Sequence, residues 1–377
     1  MDWNRIGKLL RPNPDSEEDL IQTCEVTPHV QNRVKSYSEK YKKSVPKKKC
    51  NCQSWGMPGV APRMPLSNGR TIPHLGIGTW LGFDHKHVPI AVTDNSMQDA
   101  VEVAIDEGYR LIDTAPSYGT ESQVGNAIKK KVAEGAVRRE DLFIVTKLPN
   151  ECHSEKSVVP ALKKSLDKLQ LDYLDLYLIQ SPVGIREDGT FDDIDYVDTW
   201  AGMIEAFVEG LTKAIGVSNF NQQQILRLIS LTKMKPAVVQ IEVNLNLQQA
   251  PLIEFCHSHD IVVMASAPFG SVFHMRAREC APPPRTDAQL LLRLAQKYHK
   301  TVPQIVLRYL VELGVIPIPK STKPTRIQTN IQVFDFHLTR EEKDLLAGYN
   351  RNYRTITVTF WRNSPYNPFE EYKSLDY

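Results

Sequence analysis

The sequence holds no apolar run approaching the roughly 18 residues that a membrane helix needs, which argues against a spanning segment. Cysteine is scarce: six in 377 residues, at positions 24, 50, 52, 152, 256 and 280. So few and so scattered, they cannot staple a fold of this size, and they suit a reducing compartment. A surplus of charge is lacking too. The 46 Lys and Arg face 44 Asp and Glu, for a net charge of +2, too balanced for a chain built to bind nucleic acid. The opening MDWNRIGKLLRPNPDSEEDL carries no apolar stretch of the secretory kind. These absences leave the expectation of a soluble, cytoplasmic α/β protein with no nucleic-acid or membrane partner. Apolar residues make up 41%, and 19 glycines bring that near the ordinary globular share, enough for a sizeable core. The length fits one large domain with an appendage, at about 100–200 residues per domain.

The appendage is legible as a change of composition. Residues 1–63 carry 12 Lys and Arg against 7 Asp and Glu, including KYKKSVPKKKCNC and the turn-rich GMPGVAPRMP. Nothing there keeps an apolar period long enough to bury a face, so a disordered basic arm is predicted, followed by a folded domain over 64–377. An import signal or a weak anionic tether are its functional readings, with Cys50 and Cys52 as sites for metal or acylation. Two cysteines do not complete a four-ligand zinc site, and no metal is expected.

From residue 64 the pattern is regular. MPLSNGRTIPHLGIG reads as a β-hairpin turning at Asn68-Gly69. Eight short β-branched runs follow, at 75–79, 110–115, 143–148, 174–180, 214–220, 238–243, 261–267 and 315–320. Most are apolar almost throughout, as strands covered on both faces should be. Helical spacing fills the intervals, at 157–170 and 221–233, and over 287–314, which is long enough for two helices. Eight strands alternating with helices predict a (β/α)8 TIM barrel, an α/β fold. A doubly wound open sheet is the other reading, but it wants G-x-G-x-x-G after the first strand. Here Gly76-Ile-Gly78-Thr-Trp-Leu has leucine at the third glycine.

Chemistry in such a barrel sits where the strands end and the βα loops begin. Those positions are unusually polar: Asp113 and Tyr118, Lys147, Gln180, Ser218 and Asn219, Gln240 to Asn244, Ser266, then Lys320 and Ser321, with Trp80 after the first strand. Buried polar groups are costly without partners, so a ring of them drawn from distant segments points to a site. Asp113, Tyr118 and Lys147 form a coherent unit within it. A tyrosine titrating near 10 is a poor proton donor at neutral pH. An ammonium nearby favours the phenolate and lowers that value, and a carboxylate beyond keeps the lysine charged. The expected product is a phenol able to protonate a carbonyl oxygen.

The segments LGIGTW, GYRLIDTAPSYG, DLFIVTKLP, LDYLDLYLI, KAIGVSNF, IPKSTKPTRI and VFDFHLT resemble the aldo-keto reductase family, NADPH-dependent carbonyl reductases on a (β/α)8 barrel. The resemblance runs from about Met64 to Tyr377. It implies that Tyr118 is the general acid, Lys147 its pKa depressor and Asp113 the partner of the lysine. It implies Ser218, Asn219 and Gln240 as holders of the nicotinamide carboxamide, and Gly270 and Ser271 on a loop over the pyrophosphate. Lys320, Ser321 and Arg326 would bind the 2′-phosphate, and Asn330 the adenine. Two cations and a hydroxyl near a helix start suit a dianionic phosphate, which argues for NADPH. A monomer acting on a small-molecule carbonyl substrate is the implied form.

Two positions depart from the family. Its fourth catalytic residue is a histidine in text like LIHWP, and this chain reads LIQSP, with Gln180 in its place. Glutamine offers an amide donor but does not titrate near neutral pH. A branch of the family that carries glutamate there reduces a steroid carbon–carbon double bond. The second departure is Ser266, in ASAPFGS, where the family has a tyrosine that stacks on the nicotinamide. Loss of that ring removes a stacking surface of order a kcal/mol. Three activities follow as expectations: a carbonyl reductase with shifted substrate choice, a non-catalytic NADPH-binding homologue, and a C=C reductase. Trp80, Phe83, Phe191, Phe273, Trp361 and Phe369 are candidate walls of a pocket for apolar carbonyl compounds. His85 and His87 lack further ligand residues nearby and read as a solvated loop.

Overall fold

The structure is a computed structural model that describes residues 60–82, 90–273 and 277–369. The predicted arm over residues 1–59, with Cys50 and Cys52, lies outside the described residues, as do Phe83, His85 and His87.

The hairpin is formed by β1 (Arg63–Pro65) and β2 (Thr71–Pro73), antiparallel, with Met64 opposite Ile72. Gly69 takes the positive φ (79°) that its turn requires, and the Leu66 N–H donates to Arg70 O at 2.8 Å. Asn68 does not share that conformation, so the loop is wider than a two-residue Asn-Gly turn. Its side chain is buried and donates to Lys213 O, tying the hairpin to the barrel.

Eight parallel strands follow in sequence order around one sheet: β3 (Ile77–Gly78), β4 (Leu111–Asp113), β5 (Phe143–Leu148), β6 (Leu176–Ile179), β7 (Ile215–Ser218), β8 (Val238–Glu242), β9 (Val262–Ser266) and β10 (Ile316–Pro317). They lie within the eight runs read from sequence. The seam between last and first strands is closed by Gly76 N–H donating to Pro317 O and Gly78 N–H to Pro319 O, both at 3.1 Å. Proline cannot donate to a ladder, so these two prolines act at the seam only as acceptors. Gly78 is required there. A Cβ on it would lie 2.9 Å from Ile318 O.

Ten helices among the described residues connect or follow the strands: α1 (Ser96–Asp106), α2 (Glu121–Ala133), α3 (Glu155–Leu169), α4 (Tyr196–Val208), α5 (Gln222–Thr232), α6 (Ala250–Ser258), α7 (Gln289–Tyr298), α8 (Val302–Glu312), α9 (Pro324–Ile331) and α10 (Arg340–Ala347). In α3, Val158, Ala161, Leu162, Ser165, Leu166 and Leu169 are buried, the stripe expected of a helix laid on a sheet. The 287–314 segment is two helices, as predicted. His299 leaves helical geometry at φ 52°, and Thr301 and Gln304 form a capping box that starts α8. None of the described helices is long and apolar enough to cross a membrane.

The strands separate two cores. Ile112, Ile144, Ile215, Val217, Val239, Ile241 and Val263 belong to the large outer core with the helices. Their alternates, including Leu111, Phe143, Val145, Leu176, Leu178, Val238, Met264 and Ile316, form a second core inside the barrel. Leu66 and Ile72 of the hairpin join that inner core and stop its lower end. Following the same alternation upward, Phe143 and Val145 lead to Lys147, Leu176 and Leu178 to Gln180, Val238 to Gln240, and Ile316 and Ile318 to Lys320. The interior is apolar at its floor and turns polar at its mouth.

Candidate active site

At the mouth, β4 ends in Asp113 and β5 carries Lys147, both almost wholly buried. Lys147 Nζ donates to both carboxylate oxygens of Asp113 at 2.8 Å and to Thr114 O at 3.0 Å. Gln240 Nε2 donates to the same carboxylate at 2.8 Å. Burial alone would push the lysine down. The Asp113 charge, with Tyr118 and hydrogen bonds to both, outweighs it and holds the ammonium above its ordinary range. Lys147 is therefore a cation at neutral pH.

Tyr118 sits in the single turn of 3-10 helix Pro116–Tyr118. The turn is closed by Tyr118 N–H to Ala115 O at 3.0 Å and by Gly119 N–H to Pro116 O, with Gly119 at φ 69°. Lys147 Nζ lies 4.9 Å from the centroid of the half-buried Tyr118 ring. Behind the turn, the buried hydroxyls of Thr79, Thr114 and Thr120 bond one another, and Thr79 also donates to Asp113 O. This corrects one expectation. Burial pushes the phenol pKa up, and Lys147 pulls against it without reversing it, so the net shift is upward. The phenol is held protonated rather than acidified.

Gln180 follows β6 on the same side. Its N–H donates to Leu148 O at 3.3 Å, its carbonyl accepts from Asn219 Nδ2 at 2.9 Å, and its Oε1 accepts from Ser117 Oγ at 3.2 Å. Asn219, at φ 60°, donates its N–H to Gln240 O and its amide also to the buried Ser218 Oγ. Ser218, Asn219, Gln180, Gln240 and the Asp113–Lys147 pair thus form one connected network. The bonds from Gln240 to Asp113 and from Ser117 to Gln180 were missed by sequence reading. They join residues 127 and 63 positions apart.

The remaining predicted residues form a second group. Ser266 ends β9, half-buried, its carbonyl accepting from Val243 N–H. Gly270 has φ 47°, and a Cβ on it would lie 2.5 Å from Asn244 Cγ, so its loop is pressed against the end of β8. Ser271 is fully buried, donating to Asn246 Oδ1 at 2.8 Å. Lys320 follows β10, Ser321 accepts from Lys323 N–H, and Asn330 is buried on α9. Arg326 is exposed in the first turn of α9 and makes no ion pair among the described residues.

Of the aromatic candidates, Trp80 stands 6.2 Å from the Tyr118 ring, centroid to centroid. Trp361 and Phe369 stack on each other at 5.9 Å over Val183, with Phe191 beside them. Phe273 meets Phe269 edge-on at 5.3 Å. The C-terminal segment carrying Trp361 is anchored by the buried Glu242, whose carboxylate accepts from the N–H groups of Thr355 (2.7 Å) and Ile356 (3.0 Å). This anchor was not singled out from sequence; an acid inside the apolar run VVQIEV is the trace it leaves there. No cluster of three or more metal-ligating side chains occurs among the described residues.

Comparison with known proteins gives this arrangement its relatives. Residues 74–350 match the Aldo/keto reductase family. The chain is 48% identical over 308 residues to aldo-keto reductase AKR2E4 of Bombyx mori, covering 82% of this chain and 98% of that protein. It is 38% identical to aldo-keto reductase family 1 member D1 of Mus musculus, covering 82% and 97%. Among solved structures, the Bombyx mori AKR2E4 complex with NADP superposes with a TM-score of 0.78, at 46% identity and coverage of 82% and 99%. That of aldo-keto reductase AKR2E5 complexed with NADPH gives 0.80, at 42% identity and coverage of 82% and 94%. The chain belongs to the aldo/keto reductase family.

Proposed function

We propose that this protein is an NADPH-dependent oxidoreductase that reduces aldehyde or ketone groups of small apolar substrates, with Tyr118 as the general acid. The observation that carries the reading is the buried Lys147, held by both oxygens of Asp113 at 2.8 Å and lying beside the Tyr118 ring.

The residues present fit the cofactor. Arg326 is an exposed cation without an ion-pair partner among the described residues, in the first turn of α9, where backbone N–H groups and the helix dipole favour an anion. Lys320 and Ser321 precede it, and Asn330 is one helical turn beyond. In this reading they hold the 2′-phosphate and adenine. Gly270 and Ser271 contribute to the pyrophosphate side, and Ser218, Asn219 and Gln240 to the carboxamide, with Ser266 beside them. The NADP and NADPH complexes of the two Bombyx-type neighbours support the same cofactor here.

When bound, the reduced nicotinamide supplies the hydride. The chain supplies the proton. Burial keeps the Tyr118 phenol protonated, so it donates to the carbonyl oxygen as negative charge develops there. The phenolate left behind lies beside the Lys147 ammonium, which stabilises it at short range in a low-dielectric setting. Asp113 fixes the ammonium in place, and Gln240 and the Thr79 hydroxyl hold Asp113. Gln180 donates a second hydrogen bond to the oxygen without titrating. Trp80, Phe273 and the Trp361 cluster give the pocket apolar walls.

The test is NADPH oxidation by purified protein against a panel of aldehydes, quinones and ketosteroids, with Tyr118→Phe as the blank. The expected result is turnover to the alcohol that falls by about 10²-fold or more in Tyr118→Phe. No turnover against the panel, or a Tyr118→Phe variant as fast as the parent, would refute the reading. An enone substrate is expected to yield the allylic alcohol with its double bond intact.

A further inference from the structure

We propose that Glu242 is a positioning residue for substrate choice: its carboxylate fixes the C-terminal wall of the pocket over the mouth of β8. The role rests on the carbonyl-reductase reading above and adds specificity to it.

The inward positions of β8 run from floor to mouth. Val238 packs in the inner core, and Gln240 donates to Asp113 at 2.8 Å. Glu242 is the next inward position, about 6–7 Å further up the strand. Its register partner on β9 is Ser266, where the family has a tyrosine. A carboxylate only 2% exposed is costly there unless donors meet it. Three do. Oε1 accepts from the Thr355 N–H at 2.7 Å and from Asn244 Nδ2 at 3.0 Å, and Oε2 accepts from the Ile356 N–H at 3.0 Å. The direction of each bond is fixed. A backbone N–H only donates. Asn244 has its Oδ1 engaged by the N–H groups of Asn246 (3.0 Å) and Leu247 (3.1 Å), which turns Nδ2 toward Glu242.

The segment held in this way leads into the pocket wall. Two residues beyond Ile356, Val358 packs on the cluster of Val183, Trp361 and Phe369. Just before Thr355 the chain is tied again, where Asn246 O accepts from the N–H groups of Arg351 and Tyr353, both at 3.0 Å. The same two asparagines face the loop assigned to the pyrophosphate. Gly270 is pressed on Asn244, while Asn246 accepts from Ser271 Oγ at 2.8 Å and donates to Pro283 O at 2.6 Å. Residues 242–246 therefore join the cofactor loop to the substrate wall. Because Glu242 holds backbone and not side chains, it sets where the wall stands and so the size of carbonyl compound that the wall grips. A glutamine at 242 keeps the shape but brings an NH2 group. At least one buried N–H at 355 or 356 then faces another donor.

The experiment measures kcat and KM at saturating NADPH for 2-naphthaldehyde and for propanal, which has no ring to meet the Trp361 cluster. Wild type, Glu242→Gln and Glu242→Asp are compared, and amide hydrogen exchange over residues 351–358 is followed by mass spectrometry. The expected result is a KM for 2-naphthaldehyde about tenfold higher in Glu242→Gln, the size of one lost bond to a charged acceptor, with both constants for propanal within about twofold. Exchange at 355 and 356 is slow in wild type and about tenfold or more faster in the variant. Glu242→Asp, which withdraws the carboxylate by one methylene, gives the same ordering with a smaller loss. Equal KM changes for the two aldehydes, or unchanged exchange in an active variant, overturns the proposal alone. If neither variant folds, wild-type N–H groups at 355 and 356 that exchange as fast as a free peptide overturn it, and slow ones support it. A wild type with no NADPH-dependent turnover refutes the functional reading and the proposal together.

Discussion

The floor and the mouth of this barrel are built from the same strands, on the same face, two residues apart. Along β5 the inward positions run Phe143, Val145, Lys147. Along β6 and its exit they run Leu176, Leu178, Gln180. A rise of about 6–7 Å, two residues of a strand, separates a packed apolar plug from a charged site. The floor is a cluster of buried apolar side chains, and the hairpin residues Leu66 and Ile72 close it from below. The mouth concentrates buried polar groups, and Asp113, Lys147, Gln240, Ser218 and Asn219 are tied together by hydrogen bonds. The lesson is a division of labour: the apolar floor stabilises the fold, and the mouth gathers the polar side chains to which the proposed reading gives the proton transfer.

The largest expected effect comes from erasing the mouth while leaving the floor. Replacing the buried ion pair outright, Asp113→Leu with Lys147→Met, should abolish measurable carbonyl reduction, a loss of about 10²-fold or more. The same variant should unfold at the parent's temperature or above it, because exchanging a buried pair for apolar residues is often neutral or stabilising. A large drop in thermal midpoint would show that the pair is structural. The reciprocal change, Leu178→Ala in the floor, should cost about 2–5 kcal/mol in denaturant unfolding, with kcat of the folded protein within about twofold of the parent. A larger fall in kcat would mean that the two regions are not separable.

Acid should act through buried histidines rather than through the Asp113–Lys147 pair. His153 is fully buried with neither ring nitrogen bonded, and burial pushes its pKa down from 6.5 to about 4. Because the folded value lies below the unfolded one, the unfolded chain takes up a proton that the folded chain refuses. Stability therefore falls as pH drops from about 6.5 to about 4, by roughly 3 kcal/mol from this residue. Burial depresses His74 beside the hairpin in the same way, also to about 4. His153→Gln should flatten the pH dependence of denaturant unfolding in that window, and an unchanged slope would remove His153 from the account. The smallest predicted effect is at Gln180. Restoring the family's histidine, Gln180→His, should raise aldehyde reduction severalfold, checked as kcat/KM. No gain with cofactor binding intact would place the limitation elsewhere in the site.

Much of this was legible in the sequence, for physical reasons. Strands buried on both faces must be apolar, so the eight runs stood out, and the polar residue ending each run marked the mouth. The ends of the runs were less legible. β10 is only Ile316–Pro317 within its predicted run, since prolines 317 and 319 bring no N–H to a ladder. The Asp113–Lys147 pair could be expected from adjacent strand ends. The hydrogen bonds of Gln240 and Ser117 could not, since they depend on rotamers across distant segments. The direction of the Tyr118 shift was misjudged because burial, its largest cause, is a property of the fold and leaves no mark in D-x-x-x-x-Y.

The most direct test of the central claim is the pH dependence of kcat for NADPH-driven carbonyl reduction, from about pH 6 to about pH 11, in wild type and Tyr118→Phe. With the phenol pKa raised and no titrating group at position 180, the rate should be level through neutral pH and fall only above the ordinary tyrosine range near 10. Tyr118→Phe should lie about a hundredfold lower throughout. A rate that already falls between about pH 6 and 8, or a Tyr118→Phe profile that overlays the wild type, would contradict a lysine-backed phenol as the proton donor.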